Sequence, residues 1–273
     1  MGKVIVITSG KGGVGKTTAT ANIGTGLAQA GKSVVLIDAD IGLRNLDLVL
    51  GLENRIVFDL VDVVEKKCRS ARAALIKDKR IESLHLLPAA QSRDKDAVKP
   101  EQMKALCDEL REQFDFVLID CPAGIEGGFK NAIAGADEAI IVTNPEVSAV
   151  RDADRVIGLL EAEEKCSPSL IVNRIKPDMI RKGQMLGIAD VQEILNVRLL
   201  GIVPEDEKIL RASNRGEPAV LDKQSKAGAS YREIVQRLID PANAPAVVPP
   251  RVESFWARMR RVLGMGEEVA RQA

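Results

Sequence analysis

Gly10-Lys11-Gly12-Gly13-Val14-Gly15-Lys16-Thr17 fits the pattern G-x-x-x-x-G-K-[ST]. It follows an apolar run, Val4–Thr8, and opens an amphipathic stretch, Thr17–Ala30. That context is what the chemistry needs. Glycines let the backbone wrap an anion with its N–H groups turned inward, and the helix N-terminus adds positive potential. In such a loop Lys16 contacts the β- and γ-phosphates of a nucleotide, and the Thr17 hydroxyl binds Mg²⁺. A magnesium site also needs an acid at the end of a neighbouring strand. Phe116-Val-Leu-Ile-Asp120 supplies one, four apolar residues and then a carboxylate that would hold a water on the metal. Taken alone, an Asp after a strand is equally a helix cap.

The elements that must carry these residues are legible as a pattern. Val4–Thr8, Val34–Asp38, Leu84–Pro88, Phe116–Asp120, Ala139–Thr143, Leu170–Asn173 and Leu199–Val203 are nearly continuous in Val, Ile and Leu, as strands covered on both faces are. Helical segments lie between them, such as Pro100–Gln113, Val147–Glu161, Asp190–Leu195 and Lys226–Leu238. The alternation predicts an α/β fold with a doubly wound, mostly parallel sheet flanked by helices, its sites at the carboxyl ends of the strands. The expected organisation is a phosphate-loop domain over residues 1–240, a linker at 241–250 with four prolines, a helix at 251–265 and a tail at 266–273.

Composition narrows the choices. The chain has 273 residues, and 39 basic side chains balance 39 acidic ones. Neutral balance and seven aromatic residues argue against a base-stacking nucleic-acid binder, so no nucleic acid is expected as a partner. One histidine, His85, excludes His-rich metal sites and is given no role. Cys68, Cys107, Cys121 and Cys166 form no C-x-x-C pair. With no apolar run near 18–20 residues and no signal peptide, a cytoplasmic location is expected.

Lys11 adds a second lysine to the loop, Lys11-Gly-Gly-Val-Gly-Lys16-Thr-Thr18. With it the chain resembles the deviant Walker-A family, which includes MinD, ParA-type partition ATPases and the nitrogenase iron protein. Asp38-Ala-Asp-Ile-Gly-Leu-Arg-Asn-Leu-Asp47, Asp120-Cys-Pro-Ala-Gly-Ile-Glu126, Thr143-Asn-Pro-Glu-Val-Ser148, Val172-Asn-Arg174 and Pro204-Glu-Asp-Glu207 are similar to its MinD branch. Cys121 departs from the serine usual there. The resemblance spans Met1 to about Leu238.

It implies an Mg²⁺-dependent ATPase in which ATP is bound by Lys11, Gly12, Gly13, Val14, Gly15, Lys16, Thr17 and Thr18. Lys11 would reach the nucleotide of a second copy in an ATP-dependent homodimer. Asp40 would orient the attacking water, and Lys11, Lys16 and Asp40 would form the catalytic set. Thr17, Asp38 and Asp120 would serve the metal, with Asp38 supporting either Mg²⁺ or Lys16. Spacing alone leaves Asp38 and Asp40 as strand-end caps and Asn173 as a turn residue. The resemblance makes Asn173 an adenine reader, with the backbone of Pro204, Glu205 and Asp206 completing the base pocket. Arg151, Asp152 and Asp154 would contribute to binding a MinC-like division inhibitor and a MinE-like activator.

The tail carries its own signal. At 100° per residue Val252, Phe255, Trp256, Met259, Val262 and Leu263 share an arc of about 120°, flanked by Arg258 and Arg260 with Arg261 opposite. This predicts a helix lying on an anionic membrane surface; the same pattern would suit a helix docked on the protein's own core. Six partly buried apolar side chains make one tail a weak anchor, whereas two tails on a dimer gain about 10²–10⁴ in avidity. The protein would then cycle between the cytoplasm and the inner face of the cell membrane. Two alternatives remain at this point: a ParA-type DNA or plasmid partition ATPase, and a metabolic enzyme on the same scaffold.

Overall fold

The computed structural model describes residues 1–94, 96–125, 127–163 and 167–242. In chain order they form β1 (Lys3–Thr8), α1 (Lys16–Gln29), β2 (Val34–Asp38), α2 (Leu46–Leu50), α3 (Leu60–Val64), α4 (Ala71–Ala74), β3 (Ile76–Lys77) and β4 (Leu84–Leu87). Then follow α5 (Pro100–Arg111), β5 (Phe116–Asp120), α6 (Gly127–Ile133), β6 (Glu138–Thr143), α7 (Val147–Ala162), β7 (Ser167–Ile175) and α8 (Pro177–Arg181). The last elements are α9 (Ile188–Leu195), β8 (Arg198–Pro204), α10 (Glu207–Asn214) and α11 (Lys226–Ile239).

The strands form one sheet in the order β3-β4-β2-β5-β1-β6-β7-β8. Every pairing is parallel except β3 with β4, where Ile76 faces Leu86 and Lys77 faces His85. All seven expected strands are present. The two-residue β3 was not expected, being too short to show a period. Five helices of four to eight residues, α2, α3, α4, α8 and α10, also fall outside the elements read from the sequence, as does α6.

Period-two alternation divides the strands between two cores. Val4, Val6, Val35, Ile37, Val117 and Ile119 pack with α3, α5, α6, α7 and α9. Ile5, Ile7, Val34, Leu36 and Leu118 pack with α1, α2 and α11. Each buried Val, Ile or Leu contributes about 1.5–3 kcal/mol gross, so the sheet is fixed from both sides and its loops are free to carry the site. His85 is accounted for by packing, edge-on to Phe114 at 5.2 Å between ring centres.

The topology then locates the crevice. From β1 the chain moves outward through β2 and β4 and returns at β5. It next leaves in the opposite direction through β6, β7 and β8. Connections diverge on either side of β1, so a cleft opens at its carboxyl end. The phosphate-type loop at 10–17 occupies that end. Phe255, Trp256, Met259, Val262 and Leu263, and all of the expected 241–250 linker beyond residue 242, lie outside the described residues. Among the described residues no helix is long and apolar enough to cross a membrane.

Candidate active site

The loop between β1 and α1 ends at Gly15, whose φ of 104° is left-handed and whose position caps α1 with no side-chain hydrogen bond. The first amides of α1 are therefore left for an anion. A Cβ at Gly15 would stand 2.4 Å from Asn173 Nδ2, so only glycine fits both the angle and the space. Val14 is buried, and its carbonyl accepts a hydrogen bond from Asn173 Nδ2 at 2.8 Å. Loop and β7 are thereby tied together, although 159 positions separate the two residues.

Lys16 is 7% exposed, and its charge acts on the buried Asp120. Asp120 accepts from the hydroxyl of Thr17 and from Thr20 Oγ1, the latter at 3.2 Å. Asp38 is its register neighbour across β2 and β5. The Asp38 carboxylate accepts from Asp40 N at 3.0 Å and from Leu46 N at 3.1 Å, so it fixes both ends of the intervening loop. Burial pushes Asp38 up to about 8, and the nearby Asp120 pushes the same way. Burial also raises Asp120, to about 6, against the opposing effects of Thr17, Lys16 and Thr20. Two buried carboxyls held this close favour a proton or a cation between or beside them.

That is the fit expected of a site that takes Mg²⁺. Among the described residues no three His, Cys, Asp or Glu side chains gather as a metal-ligating cluster. Magnesium in a phosphate-loop site is held instead by nucleotide oxygens, a hydroxyl such as that of Thr17, and water oriented by an acid such as Asp120.

Two adjoining cavities complete the site. One, of about 510 Å³, is lined by Gly12, Gly13, Gly15, Lys16, Thr17, Thr18 and Asp40, with a far wall from α2 and α10. The other, of about 650 Å³, is lined by Asn173, Pro204, Glu205, Asp206 and Tyr231 among others. Gly15, Thr18, Arg174 and Ser213 belong to both. The first suits phosphates and the second a base. Asn173 Oδ1 accepts from Arg174 N at 2.9 Å, but the amide still holds one N–H and one lone pair for a base edge. The Asp206 carboxylate points elsewhere, accepting from Lys208 N, Ser225 Oγ and Ala227 N, so only its backbone is offered to the cavity.

The remaining residues separate. Lys11 Nζ lies 3.2 Å from Ser148 Oγ and 3.5 Å from Glu146 Oε2, on the start of α7 and at the solvent edge of the loop. Arg151 and Asp154, one turn apart on α7, face a groove of about 710 Å³ shared with Met179, Met185 and Ile194. Asp152 faces away from that groove, toward Gly10 of the loop. Of the three expected partner residues, Arg151 and Asp154 line this groove and Asp152 does not. Cys121 is 1% exposed, and burial pushes its thiol up to about 12. It is a packing residue beside Asp120, not a reactive thiol.

Sequence reasoning missed Thr20, Arg174 and the wall residues Leu48, Val49, Ser213 and Asn214. Thr20 could have been found, since it lies three residues after Thr17 on the same helix face.

The sequence model described as the CobQ/CobB/MinD/ParA nucleotide binding domain matches residues 5–219. The chain belongs to this MinD/ParA family. Within it, the chain is 53% identical over 267 residues to the septum site-determining protein MinD of Bacillus subtilis, covering 97% of this chain and 99% of that one. Among solved structures it is similar to the MinC:MinD cell division protein complex of Aquifex aeolicus, with a TM-score of 0.84 and 50% identity over 91% of this chain and 100% of that chain. It is also similar to the septum site-determining MinD of Pyrococcus horikoshii complexed with Mg-ADP. There the TM-score is 0.80 and the identity 31%, over 89% of this chain and 98% of that chain. Membership of the MinD/ParA family makes this chain a nucleotide-binding ATPase, and its mostly parallel sheet is the family's own.

Proposed function

We propose that this chain is an Mg²⁺-dependent ATPase that dimerises on ATP, attaches to an anionic membrane through residues 251–265 and serves division-site placement by recruiting a MinC-like inhibitor under a MinE-like activator. The observation that carries the reading is the convergence of Lys16, Thr17 and Asp40 on one phosphate-sized cavity that opens into a base-sized one, with the buried Asp120 behind it accepting from Thr17.

Each group then has a task. The loop amides and Lys16 hold the β- and γ-phosphates. Mg²⁺, when bound, neutralises charge on those phosphates. Thr17 offers it a hydroxyl, and Asp120 orients its water. Asp40 lies at the phosphate cavity's edge, where a carboxylate can orient a water for in-line attack without being a strong base. Asp38 fixes that carboxylate's backbone from beneath.

Lys11 supports the dimer. Its contacts with Glu146 and Ser148 are at the surface, where an ion pair is worth about 0–1 kcal/mol, so it is released at little cost. Leu43 and Leu48, 61% and 52% exposed, stand at the mouth of the phosphate cavity as apolar surface that a second copy would cover. The relatives above, a septum site-determining protein and a MinC:MinD complex, support the division role and the inhibitor partner.

The test is sedimentation of the full chain with anionic vesicles in ATP, in ADP and without nucleotide. Sedimentation with ATP alone, lost when residues 253–273 are deleted while ATP binding stays, is the expected result. Equal sedimentation with ATP and ADP overturns the switch. Salt-sensitive DNA binding with no vesicle binding would favour a ParA-type partition ATPase.

A further inference from the structure

The far wall of the phosphate cavity is built by two helices from distant parts of the chain. Leu48 and Val49 come from α2, and Ser213 and Asn214 from α10. Each helix begins at a different part of the site. Leu46, which opens α2, is held by Asp38 next to Asp40. Asp206, which caps α10, closes the base cavity. Both helices end against one side chain, Arg80, in the turn after β3. Its Nη2 donates to Leu50 O at 2.8 Å, the last carbonyl of α2. Its Nη1 donates to Gly216 O at 2.6 Å, just past the end of α10.

The guanidinium is aimed by Asp78, which is 4% exposed and accepts from Arg80 Nε at 3.3 Å and Nη2 at 2.9 Å. Asp78 also accepts from the backbone of Arg80 and Ile81. Burial alone would raise the Asp78 carboxyl; the bonds from Arg80 more than offset it and hold it below its ordinary value. A rigid fork is the side chain suited to bridging two carbonyls at once, and a cation suits the negative ends of two helices. The same ends touch directly. A Cβ on Gly216 would stand 2.4 Å from Gly51 Cα, so the backbones meet with no side chain between them.

We infer that Arg80 is a positioning residue that locks α2 and α10 into one wall, so that the loop bearing Asp40 and the helix closing the base cavity respond to nucleotide as a single body. This deepens the ATPase reading and rests on it. Arg80 touches neither cavity and acts only through the two helices.

The test is hydrogen exchange of the full chain at residues 46–51 and 207–216, with and without Mg-ATP, beside ATP affinity and turnover for the native chain, Arg80→Lys and Arg80→Ala. In the native chain Mg-ATP should slow exchange in both segments together. Arg80→Lys keeps the charge but not the fork. It should uncouple the two segments and weaken ATP binding about tenfold, the range of an ordinary coupling between sites. Arg55→Ala, which removes a bond to Lys77 O from the same corner, should leave affinity within twofold. Slowing of only one segment by Mg-ATP in the native chain overturns the lock, and this needs no variant to fold. A lower melting temperature in Arg80→Lys with native ATP affinity also overturns it, since Arg80 would then only stabilise the fold. If the native chain binds Mg-ATP with both segments slowed but never hydrolyses it, the ATPase reading fails and the lock stands.

Discussion

Asp38→Asn isolates the buried carboxyl pair. In the native fold Asp38 is held up to about 8, against 3.8 for an ordinary aspartate. Because the folded value is the higher one, the native state holds extra proton between those limits. Its stability is fully present below the lower value and is lost as pH rises through the upper one, by at most about 1.4 kcal/mol per pH unit. The pair with Asp120 titrates as a unit, so the loss is read as one broad step of a few kcal/mol between pH 3.8 and about 8. Asparagine removes that step at a fixed cost. Asp38 accepts from Asp40 N and Leu46 N, and an amide has only one acceptor oxygen, so one buried N–H faces a donor. That costs about 1–3 kcal/mol at every pH. Below pH 6 the variant should be the less stable protein, and above pH 8 the difference should vanish or reverse. Urea unfolding of the nucleotide-free full chain at matched ionic strength, followed by circular dichroism from pH 5.5 to 9, reads both curves. A native midpoint that stays flat or rises with pH, or two parallel curves, would refute the reasoning.

Other perturbations act on the loop and its neighbours. Asp40→Ala should bind and dimerise with ATP but hydrolyse it at least tenfold more slowly, as positioned water is lost; phosphate release measures it, and native turnover would reassign the role. Lys11→Ala should bind nucleotide and stay monomeric, checked by light scattering with ATP, where a dimer would count against the cross-subunit contact. Gly15→Ala places a Cβ 2.4 Å from Asn173 Nδ2 at a left-handed φ. ATP affinity by equilibrium dialysis should fall more than tenfold, and an unchanged value would mean the loop tolerates a different path.

What could be read in the sequence follows from how tightly chemistry constrains residue type. Gly15, Lys16, Thr17 and Asp120 have few substitutes at their spacing, so the phosphate half of the site was legible, as were the seven strands rich in Val, Ile and Leu. The wall was not. Helix α10 is only eight residues long and buries none of them fully, and α2 is five residues long. Arg80 sits in Asp78-Lys-Arg80, which reads as a solvated turn; only the fold brings Leu50 and Gly216 to it. Asn173 is a turn residue by spacing and gains meaning from Val14, to which no local pattern connects it. The separation of Asp152 from Arg151 and Asp154 was implicit in helical spacing, which places residues three apart on one face and their neighbour on another.

One edge of the sheet is finished by β3, two residues long, antiparallel and ending in the charged Lys77. A long bare parallel strand there would be a template for any passing chain, at any time and with no cofactor to grant permission. So short an edge offers little ladder to extend, and strand addition from that side of the sheet is discouraged.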